Sequence, residues 1–393
     1  MSLRYLTAGE SHGAALVGII EGIPGGLALD TGYLHAQAKR RKMGYGRGNR
    51  QNIETDEIRI LAGVRFGRTL GSPIALLIEN RDWRSWSEIM SVEEPADDAA
   101  RNRRVVSVPR PGHADRIGGI KYDHADMRNV LERASARETA MRVALGSVAR
   151  RFLDEFGIRV QSRVLRIGDA VDTTPFDDVP TETIDASPVR ALGEEATQRM
   201  VAAIEAAKSS GDTLGGVVEV VARGVPVGLG SYTQWDRRLE AEIGRAFLSL
   251  NAIKGVEVGL GFELAALPGS AAHDSFYPAD GEADVVMKTR YRTNRAGGID
   301  GGMTTGQPIV VRAAMKPLAT LMKPLDSVDL RSGEATKAHV ERSDVCAVPS
   351  AAVIGESLLA LVLAHAMLEK FGGDTIDEIR ERVGTWSATV RGR

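Results

Sequence analysis

Two histidines stand in tight loops beside groups able to bind or move protons. Gly9-Glu10-Ser11-His12-Gly13 sets His12 next to a hydroxyl, and Pro109-Arg110-Pro111-Gly112-His113-Ala114-Asp115 sets His113 in a loop framed by proline and glycine. Imidazole changes charge near neutral pH, so each is a candidate proton donor or acceptor. Cations gather in two further places. Lys39 to Arg50 is basic, and its Gly44, Gly46 and Gly48 let the backbone fold tightly enough for Arg41, Arg47 and Arg50 to converge on a small anion. Arg grips phosphate or carboxylate through paired hydrogen bonds. Arg133 and Arg137 flank Ser135, which forms an S-x-x-E capping box with Glu138 at the start of an apolar-striped segment. A helix N-terminus carries partial positive charge and ordinarily attracts Asp or Glu. Two arginines there call for an anion, and such ends bind anions readily. The chemistry indicated is the binding of a phosphate or polycarboxylate beside acid–base groups.

Other chemistries fit less well. Gly9-Glu10-Ser11-His12-Gly13 matches the G-x-S-x-G nucleophile elbow in letters only. That elbow needs a helix after it, whereas the run that follows, with Gly18 and Pro24-Gly25, reads as another strand. Arg295 to Gly306 is dense in glycine and allows close backbone approach to a phosphate or a ring system. It has neither the P-loop spacing nor the strand–turn–helix setting of a dinucleotide fingerprint. His124, between Asp123 and Asp126, lacks metal-ligand spacing and reads as a solvated loop; no metal is expected. The net charge of −2 argues against a general nucleic-acid binder. Lys316-Pro317-Leu318-Ala319-Thr320 and Glu341-Arg342-Ser343-Asp344 are polar clusters after strand-like runs, each by itself a surface loop.

These residues need a scaffold. Strand-like runs cover Leu3 to Thr7, Leu16 to Ile20, Ile58 to Ala62 and Ile74 to Ile78, with a helix capped by Asp30 or Thr31 running to Lys42. Met141, Leu145, Val148, Phe152 and Phe156 recur at helical spacing, so Ser135 to Phe156 reads as a long helix with a buried face. Asp82 to Asn102, with Trp83, Trp86 and an acidic patch, reads as a surface excursion. Asp169 to Ser187 reads as an acidic inserted loop or linker, followed by a helix from Glu194 to Lys208. The second part of the chain then echoes the first. Gly211-Asp212-Thr213-Leu214-Gly215 repeats the Gly9 to Gly13 pattern. Gly224-Val225-Pro226 with Gly228-Leu229 repeats Gly22-Ile23-Pro24 with Gly26-Leu27 at the same offset. Gly302 to Ile309 resembles Gly67 to Ile74, and Ser350 to Phe371 is a second long helix. The expectation is one internally duplicated domain over 1–393, with halves of about 1–157 and 206–393 and an acidic insertion of about 168–193. Strands in runs with long helices between them point to α+β. Ala351 to Leu368 contains Glu356 and His365 and reads as a buried helix, not a membrane span. Cys346 is the only cysteine, and Met1-Ser2-Leu3-Arg4 leads straight into a strand without a signal-peptide pattern. Both fit a cytoplasmic protein.

Taken together, the motifs resemble the chorismate synthase family across nearly the whole chain. The likeness rests on Gly9 to Gly13, Arg110 to Asp115, Arg133 to Thr139, Asn251-Ala252-Ile253-Lys254-Gly255-Val256-Glu257, Gly297-Gly298-Ile299 with Gly301-Gly302, and Arg342-Ser343-Asp344. It implies a lyase that converts 5-enolpyruvylshikimate 3-phosphate to chorismate and phosphate by 1,4-elimination, in the shikimate pathway of aromatic amino acid biosynthesis. It implies reduced FMN as cofactor without net redox change, a homotetramer, and long helices sandwiched between antiparallel sheets. By this resemblance Arg41, Arg47, Arg50, Arg110, Arg137 and Arg342 hold the substrate, and His12 serves the phosphate leaving group. His113 protonates the reduced flavin, and Asp344, helped by Ser11 and Ser135, is the base acting through flavin N5. The flavin lies against Arg133, Ala134, Ser135, Asn251, Ala252, Gly301, Lys316, Pro317, Leu318, Ala319, Thr320 and Arg342. No nicotinamide motif is visible, so NADPH (the NADP link of the family) enters only through an external flavin reductase. The rival enzyme reading is a flavin-dependent oxidoreductase on a small phosphorylated acid, and a non-enzymatic basic-patch RNA binder is the third.

Overall fold

Alternation of inward and outward side chains builds the first sheet. β1 (Arg4–Ala8), β2 (Ala15–Glu21), β3 (Ile58–Ala62) and β4 (Ile74–Glu79) are all antiparallel, in the order β1-β2-β4-β3. Leu16, Ile20, Ile58, Ile74, Leu76 and Ile78 point inward and are buried, as a period of two requires. The computed structural model describes residues 2–48, 53–94, 97, 99, 102–279, 286–341 and 343–392.

Helices follow and fill the middle. α1 (Thr31–Lys42) is capped by Asp30, whose Oδ1 accepts from the Tyr33 N–H at 2.9 Å. Two short helices, α2 (Asp115–Tyr122) and α3 (Arg128–Arg133), precede the long α4 (Thr139–Asp154). The second sheet has the order β8-β9-β7-β5-β6, again antiparallel. Its strands are β5 (Arg159–Ile167), β6 (Ala170–Val171), β7 (Gly216–Arg223), β8 (Ile253–Val258) and β9 (Ile309–Met315). Around it run α5 (Thr181–Ala186), α6 (Glu194–Ser210) and α7 (Leu239–Leu248), and the chain closes with α8 (Val348–Phe371) and α9 (Ile376–Gly392). α4 packs on the first sheet, α8 packs on β5 and β7 of the second, and α4 and α8 pack on each other. The architecture is α+β, with long helices between antiparallel sheets.

Close approach defines each interface of that stack. A Cβ on Gly18 of β2 would lie 2.5 Å from Met141 Sδ, and one on Gly146 of α4 would lie 2.4 Å from Ser357 Cβ. One on Gly355 of α8 would lie 2.8 Å from Val220. Small residues let the layers meet at a distance that larger ones forbid. α8 is long and apolar enough to cross a membrane by composition, yet 94% of its apolar window is buried inside the protein.

The repeated sequence motifs make the same hydrogen bonds. Thr69 Oγ1 accepts from the Leu27 N–H at 3.0 Å and donates to Pro24 O at 2.6 Å. Thr304 Oγ1 accepts from the Leu229 N–H at 2.8 Å and donates to Pro226 O at 2.6 Å.

Four local readings are corrected. α4 begins at Thr139, not Ser135. Ser135 instead caps a 3₁₀ turn, Ala136–Glu138, by accepting from the Arg137 N–H at 3.2 Å. Glu138 does not close a capping box, because Arg142 one turn on offers it an ion pair at 2.6 Å. Asp82 to Asn102 is not wholly superficial, since Trp86 is buried. The acidic insertion is no loose linker: β6 and α5 lie in it, and its Asp172 is buried, accepting from the Leu192 N–H at 2.7 Å.

The Gly146 contact is testable. Gly146→Ala should lower the free energy of unfolding by about 1–3 kcal/mol through overpacking. Gly384→Ala, at a helical position in α9 with open space around it, should be neutral or stabilising by up to about 1 kcal/mol. Chemical denaturation of both variants checks the pair; equal effects would refute the close-packed crossing.

Candidate functional site

A cavity of about 410 Å³ opens where α1, α4 and α8 begin or end. That size lies in the range of small-molecule sites, roughly 300–1,000 Å³. Loops from both halves of the chain line it, bringing together residues from Ser11 to Ile354.

One wall is cationic. Arg41 and Arg137 share one buried carboxylate: Arg41 Nη2 meets Asp56 Oδ2 at 2.8 Å, and Arg137 Nη1 pairs with Asp56 Oδ1. Arg137 also donates to Asn80 Oδ1 at 2.9 Å and to Glu54 Oε2 at 3.2 Å. Burial alone would raise the Asp56 carboxyl, but the two guanidiniums outweigh it and hold it at about 2, below its ordinary 3.8. Arg47 pairs with Asp344 Oδ2 at 2.7 Å, while the Gly48 N–H donates to Asp344 Oδ1 at 2.6 Å. The Nε groups of Arg41 and Arg47 are buried without a hydrogen-bond partner among the described residues. A buried guanidinium donor left unpaired is unfavourable, and the guanidiniums of Arg41, Arg47, Arg110 and Arg137 all line the cavity, where an anion would be favoured.

The two imidazoles are each held by a buried carboxylate. His12 Nδ1 lies 2.9 Å from both oxygens of Glu132, and the His12 N–H donates to Glu132 Oε2 at 2.8 Å. The ring stacks on Trp86 with centroids 3.9 Å apart. His113 Nδ1 lies 2.5 Å from Asp115 Oδ1, and Arg110 Nε reaches Asp115 Oδ2 at 2.9 Å. Burial pushes the Asp115 carboxyl up, but hydrogen bonds from His113 and Arg110 hold it well below the usual carboxylate range. Arg110 Nη1 also donates to Thr320 Oγ1 at 2.9 Å, tying the His113 loop to Lys316–Thr320. Lys316 Nζ donates to Gly112 O at 2.6 Å.

The remaining lining combines small, apolar and polar residues with the carboxylate of Glu341. Ser11 Oγ donates to Ser135 Oγ at 3.0 Å. Asn251 Nδ2 donates to Ala134 O at 2.8 Å, and Ala252 takes a left-handed φ of 67° so that its carbonyl meets the Lys316 N–H at 2.9 Å. Pro317, Leu318 and Ala319 complete this side.

Of the residues singled out from sequence, the cavity gathers Ser11, His12, Arg41, Arg47, Arg110, His113, Ala134, Ser135, Arg137, Asn251, Ala252, Lys316 to Thr320 and Asp344. Arg133 does not line it: its guanidinium is engaged by Gly9 O at 3.0 Å and Thr7 O at 2.9 Å, which ties α3 to β1. Gly301 lies in the exposed turn between Ile299–Asp300 and Met303–Thr304, away from the lining. Arg50 and Arg342 lie outside the described residues. Sequence reading missed Glu132, Trp86, Asn80, Glu54 and Asp56, and gave Asp115 no role. One signal was present: an arginine-rich buried site needs carboxylates, and Glu54 and Asp56 follow closely on Arg41 and Arg47.

Asp56 gives a pH test. Its folded-state pKa is depressed, so its stabilisation is complete above about pH 4 and is lost as pH falls towards about 2. Asn tolerates the left-handed backbone at this position, where φ is 53°. Between pH 4 and pH 2 the parent should lose on the order of 2 kcal/mol more unfolding free energy than Asp56→Asn. Urea unfolding at both pH values measures this, and parallel losses would count against the pairing.

Comparison with known proteins agrees with this geometry. The sequence family described as chorismate synthase matches residues 3–368. Chorismate synthase of Geobacillus thermodenitrificans is 53% identical over 387 residues, covering 97% of each chain. That of Brevibacillus brevis is 51% identical over 391 residues, covering 98% of this chain and 99% of its own. A crystal structure of chorismate synthase superposes with a TM-score of 0.79 at 40% identity, covering 100% of this chain and 99% of the other. With a cavity that joins both histidine loops to the arginine wall, and with these likenesses over its whole length, the chain belongs to the chorismate synthase family and is an enzyme of that kind.

Proposed function

We propose that the cavity binds 5-enolpyruvylshikimate 3-phosphate and reduced FMN, and that the enzyme is a lyase of aromatic amino acid biosynthesis releasing chorismate and phosphate. The observation that carries this is the arginine wall: the guanidiniums of Arg41, Arg47, Arg110 and Arg137 line one cavity with both imidazoles, a concentration of donors that calls for an anionic ligand. A substrate with a phosphate and two carboxylates meets that demand. Arg41, Arg47, Arg110 and Arg137 bind it, together with Arg50 and Arg342. In the elimination the C–O bond to phosphate breaks with its electron pair leaving on phosphate. The ring C–H bond gives up its proton and the diene forms. His12 Nε2 is the nitrogen free to protonate the departing phosphate, because Nδ1 is held by Glu132. Asp344 is the final acceptor of the ring proton, with the Ser11 and Ser135 hydroxyls in the same cavity. His113 would protonate the reduced flavin through Nε2, its Nδ1 being held by Asp115.

The lining fits a flavin. Ala134, Ala252, Pro317, Leu318 and Ala319 offer small apolar surface suited to an aromatic ring system, and Asn251, Lys316, Thr320 and Ser135 add polar atoms beside it. When bound, reduced flavin supplies electron density that stabilises the electron-poor centre left by phosphate, with no net oxidation. An external flavin reductase supplies it, and NADPH acts only there. The proposal includes a homotetramer in the cytoplasm; exposed Leu6, Ile19 and Leu61 on the outer face of the first sheet are apolar surface that a second copy would cover.

An anaerobic assay with chemically reduced FMN should release phosphate and chorismate, while oxidised FMN in air should not. Equal release in both would remove the cofactor, and stoichiometric NADPH consumption per product would favour an oxidoreductase. His113→Ala should lower turnover by about 10²–10⁴-fold, the usual range for an acid–base group; a loss under threefold would remove its role.

A further inference from the structure

The two imidazoles of the cavity are mounted in the same way. Each has Nδ1 on a buried carboxylate, and each carboxylate also accepts from an arginine: Arg128–Glu132–His12 and Arg110–Asp115–His113. The first of these is the more complete. Glu132 is 1% exposed and sits in the last turn of α3. Its carboxylate receives three donors, the His12 N–H at 2.8 Å, His12 Nδ1 at 2.9 Å and Arg128 Nη1 at 3.0 Å. The Glu132 carbonyl takes a fourth, from the Ser11 N–H at 2.9 Å. So Glu132 holds both the backbone of the His12 loop and the ring.

The chemistry of that contact determines which nitrogen works. An ionised carboxylate can only accept, so Nδ1 must keep its hydrogen in either charge state of the ring. Nε2 is then the nitrogen that gains and loses the proton. Burial pushes the Glu132 carboxyl up, but the hydrogen bond and charge of His12 and the charge of Arg128 outweigh it and hold it below its ordinary value. It therefore stays ionised and keeps accepting. The ring is fixed in the perpendicular direction too. Trp86 stacks on it at 3.9 Å and 21°, and Arg104 lies over the Trp86 ring at 4.1 Å, with Arg128 at 5.0 Å. Asp82 Oδ2, 3.9 Å from Nε2, is the remaining charge facing the imidazole.

We propose that Glu132 is the positioning residue of this enzyme's His12: it fixes the Nδ1–H tautomer, delivers Nε2 to the cavity, and contributes to turnover only through His12. This rests on the reading of His12 as the proton donor to phosphate. Glu132 does not line the cavity, so its removal should leave substrate binding nearly intact.

A double-mutant cycle on the full-length protein, assayed with reduced FMN, separates the possibilities. Glu132→Gln should lower kcat about 10–100-fold, the effect seen when the carboxylate orienting a functional imidazole is lost, with KM changed less than threefold. In a His12→Asn background the same substitution should change kcat less than threefold, because there is no imidazole left to orient. An equal loss in both backgrounds would overturn the proposal and make Glu132 merely structural. If His12→Asn alone leaves kcat near the parent value, the reading of His12 fails, and the proposal with it. Should Glu132→Gln not fold, Glu132→Asp keeps the charge that Arg128 needs while withdrawing the carboxylate from Nδ1, and the same cycle is read with it.

Discussion

The guanidinium–carboxylate pair buried in a low-dielectric interior is the interaction on which the structure depends. Its clearest case is Glu356, placed in the middle of the apolar helix α8. Arg40 grips it with two bonds of 2.6 and 2.9 Å, Arg150 and Arg190 add theirs, and Ser162 donates at 2.7 Å. Burial opposes the charge on Glu356, but the three arginines prevail and hold its carboxyl well below the usual range. Removing one partner from such a cluster leaves an uncompensated charge, at roughly 3–5 kcal/mol. The cluster joins α1, α4, α8 and the acidic insertion, whose Asp185 reaches both Arg40 and Arg190. One residue along from Arg40, Arg41 faces the cavity, so the pin in the core also positions the site.

The same constraint shapes the cavity. Arginines dense enough to receive a polyanion would repel each other and unfold the wall if left alone. Asp56, Glu54, Asp115 and Asp344 compensate them in the folded protein. Around this wall the layers are close enough for the site to draw on both halves: Ser11 and Ser135 come from the first, Lys316 to Thr320 and Asp344 from the second. The threonine bridges at Thr69 and Thr304 do not line the cavity and hold their turns with the same pair of hydrogen bonds.

Sequence and structure divide the molecule along the range of the forces involved. Period-two and period-3.6 patterns made the strands of the first sheet, the four helices α1, α4, α6 and α8 and the α+β class legible, because burial of a face is a local property of spacing. The motif residues His12, His113, Arg41 and Arg137 were legible as chemistry for the same reason: glycine and proline mark where backbone is exposed, and arginine marks an anion; Asp344 gained a role only from the family resemblance. Arg133 was legible as a cation but not as one engaged by Thr7 and Gly9. Nothing in the letters around Glu132 or Trp86 says that they orient His12, and Asp82 to Asn102 read as surface. A carboxylate's partner more than a hundred residues away is selected by packing, not by spacing. By itself the sequence determined the elements, the family and the inventory of reactive groups. Only the tertiary structure decided which carboxylate neutralises which arginine, and so which donors remain for a ligand, because electrostatic pairing in a buried site depends on distances that the folded core alone brings about.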